Sequence, residues 1–197
     1  MNRFLIASAV LALSAGAQAA PVFSDNFDAN AGDPLNAVPA GWTVTGGTVD
    51  IIGSGTNWDY IPGSGKFIDL DGSTNQPGLL ARSFNTIAGM TYTATFDLAG
   101  NHVGGYPDND TVAVSFGTAS QSYSNFTKNQ GWTTFTLSFT AATTGSTVLS
   151  FKNSGGDNVG LLLDNVNVAA VPEPGEWAMM LAGLGIVGFM ARRRRAA

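Results

Sequence analysis

The chain has 197 residues, a formal net charge of −5, one histidine and no cysteine, which excludes disulfides and thiolate metal sites. Between Ala20 and Val171 the cations are Lys66, Arg82, Lys128 and Lys152 against twelve aspartates and no glutamate, leaving eight net negative charges on this body. Phosphate neutralisation needs clustered Lys and Arg, so nucleic acid is not an expected partner.

At the N-terminus Asn2 and Arg3 precede an apolar run from Phe4 to Leu13 and the small-residue triplet Ala17-Gln18-Ala19. That order predicts a secretory signal peptide over residues 1–19, handled by the secretion translocon and cut after Ala19. Residues 20–170 then make one domain of about 150 residues, large enough for a core without staples.

Within that body, short runs rich in Thr, Val, Phe and Tyr alternate with Gly, Asn, Asp and Pro clusters, and none shows sustained helical period. The pattern predicts an all-β fold, an antiparallel β-sandwich or barrel. "FSDNF" opens it, with Asp25 on the same face as Phe23 and Phe27. Gly46-Gly47 between Thr45 and Thr48 reads as a two-residue hairpin link. "DLDG", Asp69 to Gly72, lacks the glycine position and later glutamate of a calcium loop and reads as a turn closing a strand. "YTATFDL" puts Tyr92, Ala94, Phe96 and Leu98 on one face, and "TVAVSF" does the same with Val112, Val114 and Phe116. From Thr133 to Thr140, Phe135, Leu137 and Phe139 alternate with hydroxyl residues. In "LDNVNV" strict alternation sets Asp164 on a face with Leu162, Val166 and Val168. A bare carboxylate on a core face is costly, so Asp25 and Asp164 each need hydrogen bonds, a cation, or a bulge that turns them outward.

Two places suit a ligand. The loop Asn101 to Asp110 gathers His102, Tyr106, Asp108 and Asp110, an aromatic face beside polar groups that fits a sugar ring. Trp58 and Tyr60 share one side of an extended segment and offer a second stacking platform, whereas Trp42 and Trp132 read as core. Catalysis is poorly supported: one imidazole, no G-x-S-x-G elbow and no zinc pattern. Twelve aspartates offer many pairs to a glycosidase, too many for any one pair to stand out.

From Trp177 to Ala191 every residue is apolar or Gly, fifteen positions that as a helix reach about 22 Å. A bilayer core is about 30 Å thick, so a single transmembrane helix here is marginal and leans on snorkelling by Arg192, Arg193, Arg194 and Arg195. By the positive-inside rule those arginines stay cytoplasmic, placing the body outside the inner membrane. Pro172 and Pro174 bracket Glu173 and favour an extended strip that a peptidase can grip.

Pro-Glu-Pro, short span and arginine cluster, in that order over residues 171–197, resemble the PEP-CTERM sorting signal of Gram-negative bacteria. The resemblance implies an exosortase partner that removes the tail, transient inner-membrane anchoring, and delivery to the cell surface or an extracellular matrix. A plain tail anchor is the alternative. Separately, "KFIDLDGSTNQPGLLARSFNTIAGMTYTATFDLAGN", "GWTTFTLSFTA" and "GLLLDNVNV" are similar to the choice-of-anchor domains of bacterial surface proteins and a related plant cell-wall family, within the galactose-binding-like jelly rolls. This second resemblance implies a jelly-roll sandwich whose first and last strands lie side by side, with a structural calcium as possible cofactor; Asp25, Asp28 and Asp164 are the candidate ligands. The resulting expectation is a non-catalytic, glycan-binding or exopolysaccharide-associated module. A glycoside-acting enzyme using paired aspartates and a ligand-free structural or adhesion protein stand as alternatives.

Overall fold

The structure is a computed structural model that describes residues 20–30, 35–105, 110–171 and 174–195. The expected signal peptide, Tyr106, Asp108, Pro172 and Glu173 lie outside the described residues. The described residues fall into two units, the body within residues 19–173 and the segment from Pro174 on.

The body runs, in chain order, through β1 (Ala20–Asp25), β2 (Thr43–Thr45), β3 (Asp50–Gly53), β4 (Lys66–Asp69), β5 (Leu79–Thr86), β6 (Thr91–Ala99), β7 (Val112–Phe116), β8 (Ala119–Tyr123), β9 (Thr133–Thr140), β10 (Gly145–Asn153) and β11 (Leu162–Val171). One sheet has the order β3-β4-β11-β6-β9, with β1 pairing the later half of β11; the other has the order β2-β5-β10-β7-β8. Every ladder between these strands is antiparallel. The result is the expected sandwich, with Asp25 of the first strand opposite Val166 of the last.

Period-2 alternation builds the core. Tyr92, Ala94, Phe96 and Leu98 of β6 are buried between the sheets, while Thr91, Thr93, Thr95 and Asp97 stay half-buried on the other face. Phe96 sits at the centre, its ring 5.1 Å from Phe151 of the opposite sheet and 5.5 Å from Tyr123. A buried aromatic in such a place contributes about 3 kcal/mol or more against truncation to alanine.

Two local expectations change. Gly46-Gly47 do take positive φ, +66° and +153°, yet they close no hairpin: β2 belongs to one sheet and β3 to the other. The glycines let the chain cross between layers, and a Cβ on Gly47 would lie 2.3 Å from the Gln76 carbonyl oxygen. At the other end α1 (Pro174–Arg195) is longer than the apolar run and takes in all four arginines. Pro174 is its first residue, where a missing amide proton is harmless. No helix among the described residues is long and apolar enough to cross a membrane. The single transmembrane helix expected over this run is thus not shown by the structure; the fifteen apolar residues reach about 22 Å against a bilayer core of about 30 Å.

Candidate functional site

The site grows from the outer face of the first sheet. Ile51 and Ile68 point between the layers, so their neighbours Asp50, Ile52, Phe67 and Asp69 point outward. An outward face with apolar residues needs a cover, and the β3–β4 loop supplies it. Ile52, Phe67, Ala99 and Leu162 form a second apolar cluster, with Trp58, Tyr60, Ile61, Leu35 and Trp132 packed on it. The loop is pinned by Thr56, whose hydroxyl donates to the Gly53 carbonyl at 2.7 Å and accepts the Trp58 amide at 3.0 Å. Trp132 closes the far side, its indole donating to Ser64 Oγ at 2.9 Å.

Under this cover lies a cavity of about 200 Å³. Leu35, Ile52, Trp58 and Tyr60 make its apolar walls, and Asp50, Asp69 and Ser73 its polar floor. Val103, Asn158 and Val159 complete it from two further loops. Pockets for drug-sized ligands run about 300–1,000 Å³, so this one suits a single sugar ring rather than a buried chain.

Asp50 and Asp69 are direct register partners across β3 and β4. Asp50 accepts the Asn36 amide at 2.6 Å on Oδ1 and the Ser73 hydroxyl at 2.6 Å on Oδ2. Asp69 Oδ1 accepts the amides of Asp71 at 2.9 Å and Gly160 at 2.8 Å. Burial pushes the Asp69 carboxyl well above the usual carboxylate range, with the charges of Asp50 and Asp71 adding to it and the two amides opposing it. The floor thus pairs two hydrogen-bonded carboxyl groups, and among the described residues no lysine or arginine lines the cavity. Sugar hydroxyls can bond such a floor while the ring's C–H face lies on the aromatic walls.

Of the residues singled out for a glycan, Trp58 and Tyr60 line the cavity. His102 does not: at φ +58° its amide donates to the Lys128 carbonyl at 2.7 Å and its Nε2 lies 3.1 Å from the Gln130 carbonyl. Its neighbour Val103 is the residue that reaches the wall. Asp110 is buried elsewhere, beside Asp71 and Asp157, and burial with those charges pushes its carboxyl up to about 6 despite relief from Asn153. Trp42 is core as expected, and Trp132 belongs to the cover. Asp50 and Asp69 were missed, although each carries the signal already used for Asp25: a carboxylate sharing a strand face with an apolar residue, Ile52 or Phe67.

The three expected calcium ligands have different surroundings. Asp25 does point between the sheets, and its partner is Arg82, which shares the inward face of β5 with Leu80 and Phe84. Arg82 Nη1 lies 3.2 Å from Asp25 Oδ2, the Trp42 indole donates to the same oxygen at 2.8 Å, and the Phe27 amide donates to Oδ1 at 2.9 Å. The guanidinium also lies over Phe23, 4.2 Å from the ring centroid. The cation Asp25 needs is therefore an arginine. Asp28 accepts the Lys66 amide at 2.7 Å and the Asn26 side chain at 2.6 Å.

Asp164 does not share the face of Val166 and Val168. The register of β11 on β6 slips by one residue between Asp164 and Asn167, a bulge in which Asn165 takes φ +50°. Leu163 and Val166 point inward and Asp164 stays on the outer side, opposite Asp97. It is 2% exposed and its one hydrogen-bond partner is the Asn165 amide at 2.7 Å. Burial, with the charges of Asp28, Asp97 and Asp25 adding to it, pushes its carboxyl up to about 7. Among the described residues no three His, Asp or Glu side chains converge as a metal ion requires.

Comparison with known proteins supplies the family. The model of the family described as "Protein of unknown function (DUF642)" matches residues 26–169, and that of the PEP-CTERM protein-sorting motif matches residues 170–195. The chain belongs to the DUF642 family. Its DUF642 domain shares its fold with the N-terminal CBM22-1-CBM22-2 tandem of Xyn10C from Paenibacillus barcinonensis: TM-score 0.51 at 17% identity, over 82% of this chain and 50% of the tandem. The single CBM22-1 xylan-binding domain of that enzyme aligns at TM-score 0.49 and 15% identity, over 79% of this chain and 97% of the module. No curated protein matches the chain. The sorting motif after the DUF642 domain marks an exported protein.

Proposed function

We propose that this protein is a non-catalytic glycan-binding module, sorted by an exosortase to the surface or extracellular matrix of a Gram-negative bacterium. The observation that carries the binding half is the cavity itself, with Trp58 and Tyr60 as walls over the Asp50–Asp69 floor. A sandwich fold shared with a carbohydrate-binding tandem supports the same reading. The ligand class follows from charge: an acidic floor with no lysine or arginine among its described residues, on a body with eight net negative charges, favours neutral sugar rings and disfavours uronate or sulfated ones.

The sorting half rests on the motif over residues 170–195, with transient anchoring of the precursor by α1. From Met180 to Met190 that helix exposes Leu181, Leu184, Ile186, Val187 and Phe189, each more than half exposed. Such a surface is stable in lipid and a liability in water. A structural calcium at Asp28 and Asp164 remains part of the proposal, with Asp25 removed from the set by Arg82; a calcium-dependent rise in the melting midpoint that shrinks in Asp164→Ala tests it.

The body can be produced by itself, because both apolar clusters lie wholly within residues 19–173. Retention of this body on immobilised neutral polysaccharide, lost by at least tenfold in Trp58→Ala, is the expected result. Retention unchanged in Trp58→Ala and Tyr60→Ala would sink the site. The register pairing of Asp50 with Asp69 favours one second reading, a glycosidase using that pair. Release of reducing ends that stops in Asp69→Asn would replace the first reading with it.

A further inference from the structure

One end of the sandwich interior is polar. Asn153 closes β10 on the face that Leu149 and Phe151 bury, and it is 1% exposed with no hydrogen-bond partner within 3.5 Å of either amide atom. Asp71, just past β4, is fully buried; its Oδ2 accepts the Asp157 amide at 3.2 Å, and its Oδ1 has no partner. Asp110, leading into β7, is 8% exposed and close enough to both for Asn153 to ease its charge and Asp71 to oppose it. Three elements thus bring two carboxylates and a carboxamide together with unpartnered atoms among them.

The β10–β11 loop is shaped around this group. A Cβ on Gly155 would lie 2.3 Å from Asp71 Oδ2 and 2.7 Å from Asn153 Nδ2. One on Gly160 would lie 2.9 Å from Asp69 Oδ1 and 3.0 Å from Asn153 Nδ2. Only glycine lets the loop approach so closely. A single water could bond the amide, yet it would leave the charges of Asp157 and Asp71 acting on Asp110 without a countercharge. Lys152, the adjacent cation on β10, is turned away and donates to the Pro77 carbonyl.

We propose that a hard divalent cation of the calcium class binds at this end of the sandwich, between Asp71, Asp110 and the Asn153 carboxamide, and clamps the β10–β11 loop. Its donors are all oxygen, two carboxylates and an amide carbonyl, with waters to complete the shell, which is calcium's preference. The loop matters because Asn158 and Val159 wall the cavity. Loop order and ligand affinity are then coupled to the ion.

The test is a thermal melt of the body, stripped with chelator and titrated with calcium chloride alone. At a hundredfold excess over Kd the midpoint is expected to rise by roughly 5–10 °C. The shift is expected to persist in Asp164→Asn, which removes any ion at Asp164, and to disappear once Asp110→Asn is added to it. Asn153→Asp serves as a second variant and is expected to tighten calcium binding at least threefold. No shift in Asp164→Asn, or a shift that persists when Asp110→Asn is added to it, overturns the proposal; the first outcome would leave an ordered water as the occupant.

Discussion

Asp25 and Asp164 lie on neighbouring strands and carry the same side chain, yet they stand in opposite circumstances. Asp25 points between the sheets and meets a guanidinium from the opposing layer, with an indole and an amide completing its bonds. Asp164, turned outward by one extra residue in its strand, meets mainly other carboxylates. Burial alone therefore does not decide what a carboxylate does to this fold. The sign depends on whether the register delivers a cation.

The sharpest way to break that comparison is Arg82→Met. It leaves Asp25 charged and largely buried, and removal of one partner from such a pair costs about 3 kcal/mol, roughly 10 °C in the melting midpoint. If a melt shows Arg82→Met to be no worse than Asp164→Asn, the contrast between the two aspartates is wrong.

The next effect is on pH dependence, measured in chelator. Asp164 and Asp110 are pushed up to about 7 and about 6, so the folded state holds protons that the unfolded chain has released. Their stabilising contribution is fully present below about pH 4 and is lost as pH rises through 6 and 7. The melting midpoint of the body should thus fall between pH 5 and pH 8. Asp164→Asn should remove the upper part of that fall, gaining about 1–2 kcal/mol at pH 8 and little at pH 5. A midpoint that climbs from pH 5 to pH 8 would contradict the carboxylate environments described here.

The smallest effect belongs to the bulge. Asn165 takes a positive φ and its side chain donates to Asp97 Oδ2 at 3.0 Å. Asn165→Ala should cost about 1–2 kcal/mol through backbone strain, and Asn165→Gly clearly less. Equal losses in both would mean that the Asp97 bond, not the backbone, holds the bulge open.

Much of the architecture could be read from residue order. The strands at 91–99, 112–116 and 133–140 follow from alternation, and the jelly-roll pairing of first and last strands followed from resemblance. The lining of the cavity was legible in part: Trp58 and Tyr60 stood out as two aromatics on one side of an extended segment. Asp50 and Asp69 were not, because a carboxylate beside a single apolar residue is common and its meaning depends on what covers that face. Gly46-Gly47 misled for a related reason, since positive φ permits a hairpin and a crossover equally.

Alternation, composition and the order of breaker, apolar run and arginines are local properties, and they determine the β class, the acidic body and the sorting tail without reference to the rest of the chain. The pairing of Asp25 with Arg82 across 57 residues, the outward turn of Asp164, and the cavity built from segments as far apart as Leu35 and Val159 are set elsewhere. Each depends on register and layer packing. A one-residue slip moves a side chain to the opposite face, and no local pattern records where such a slip will fall.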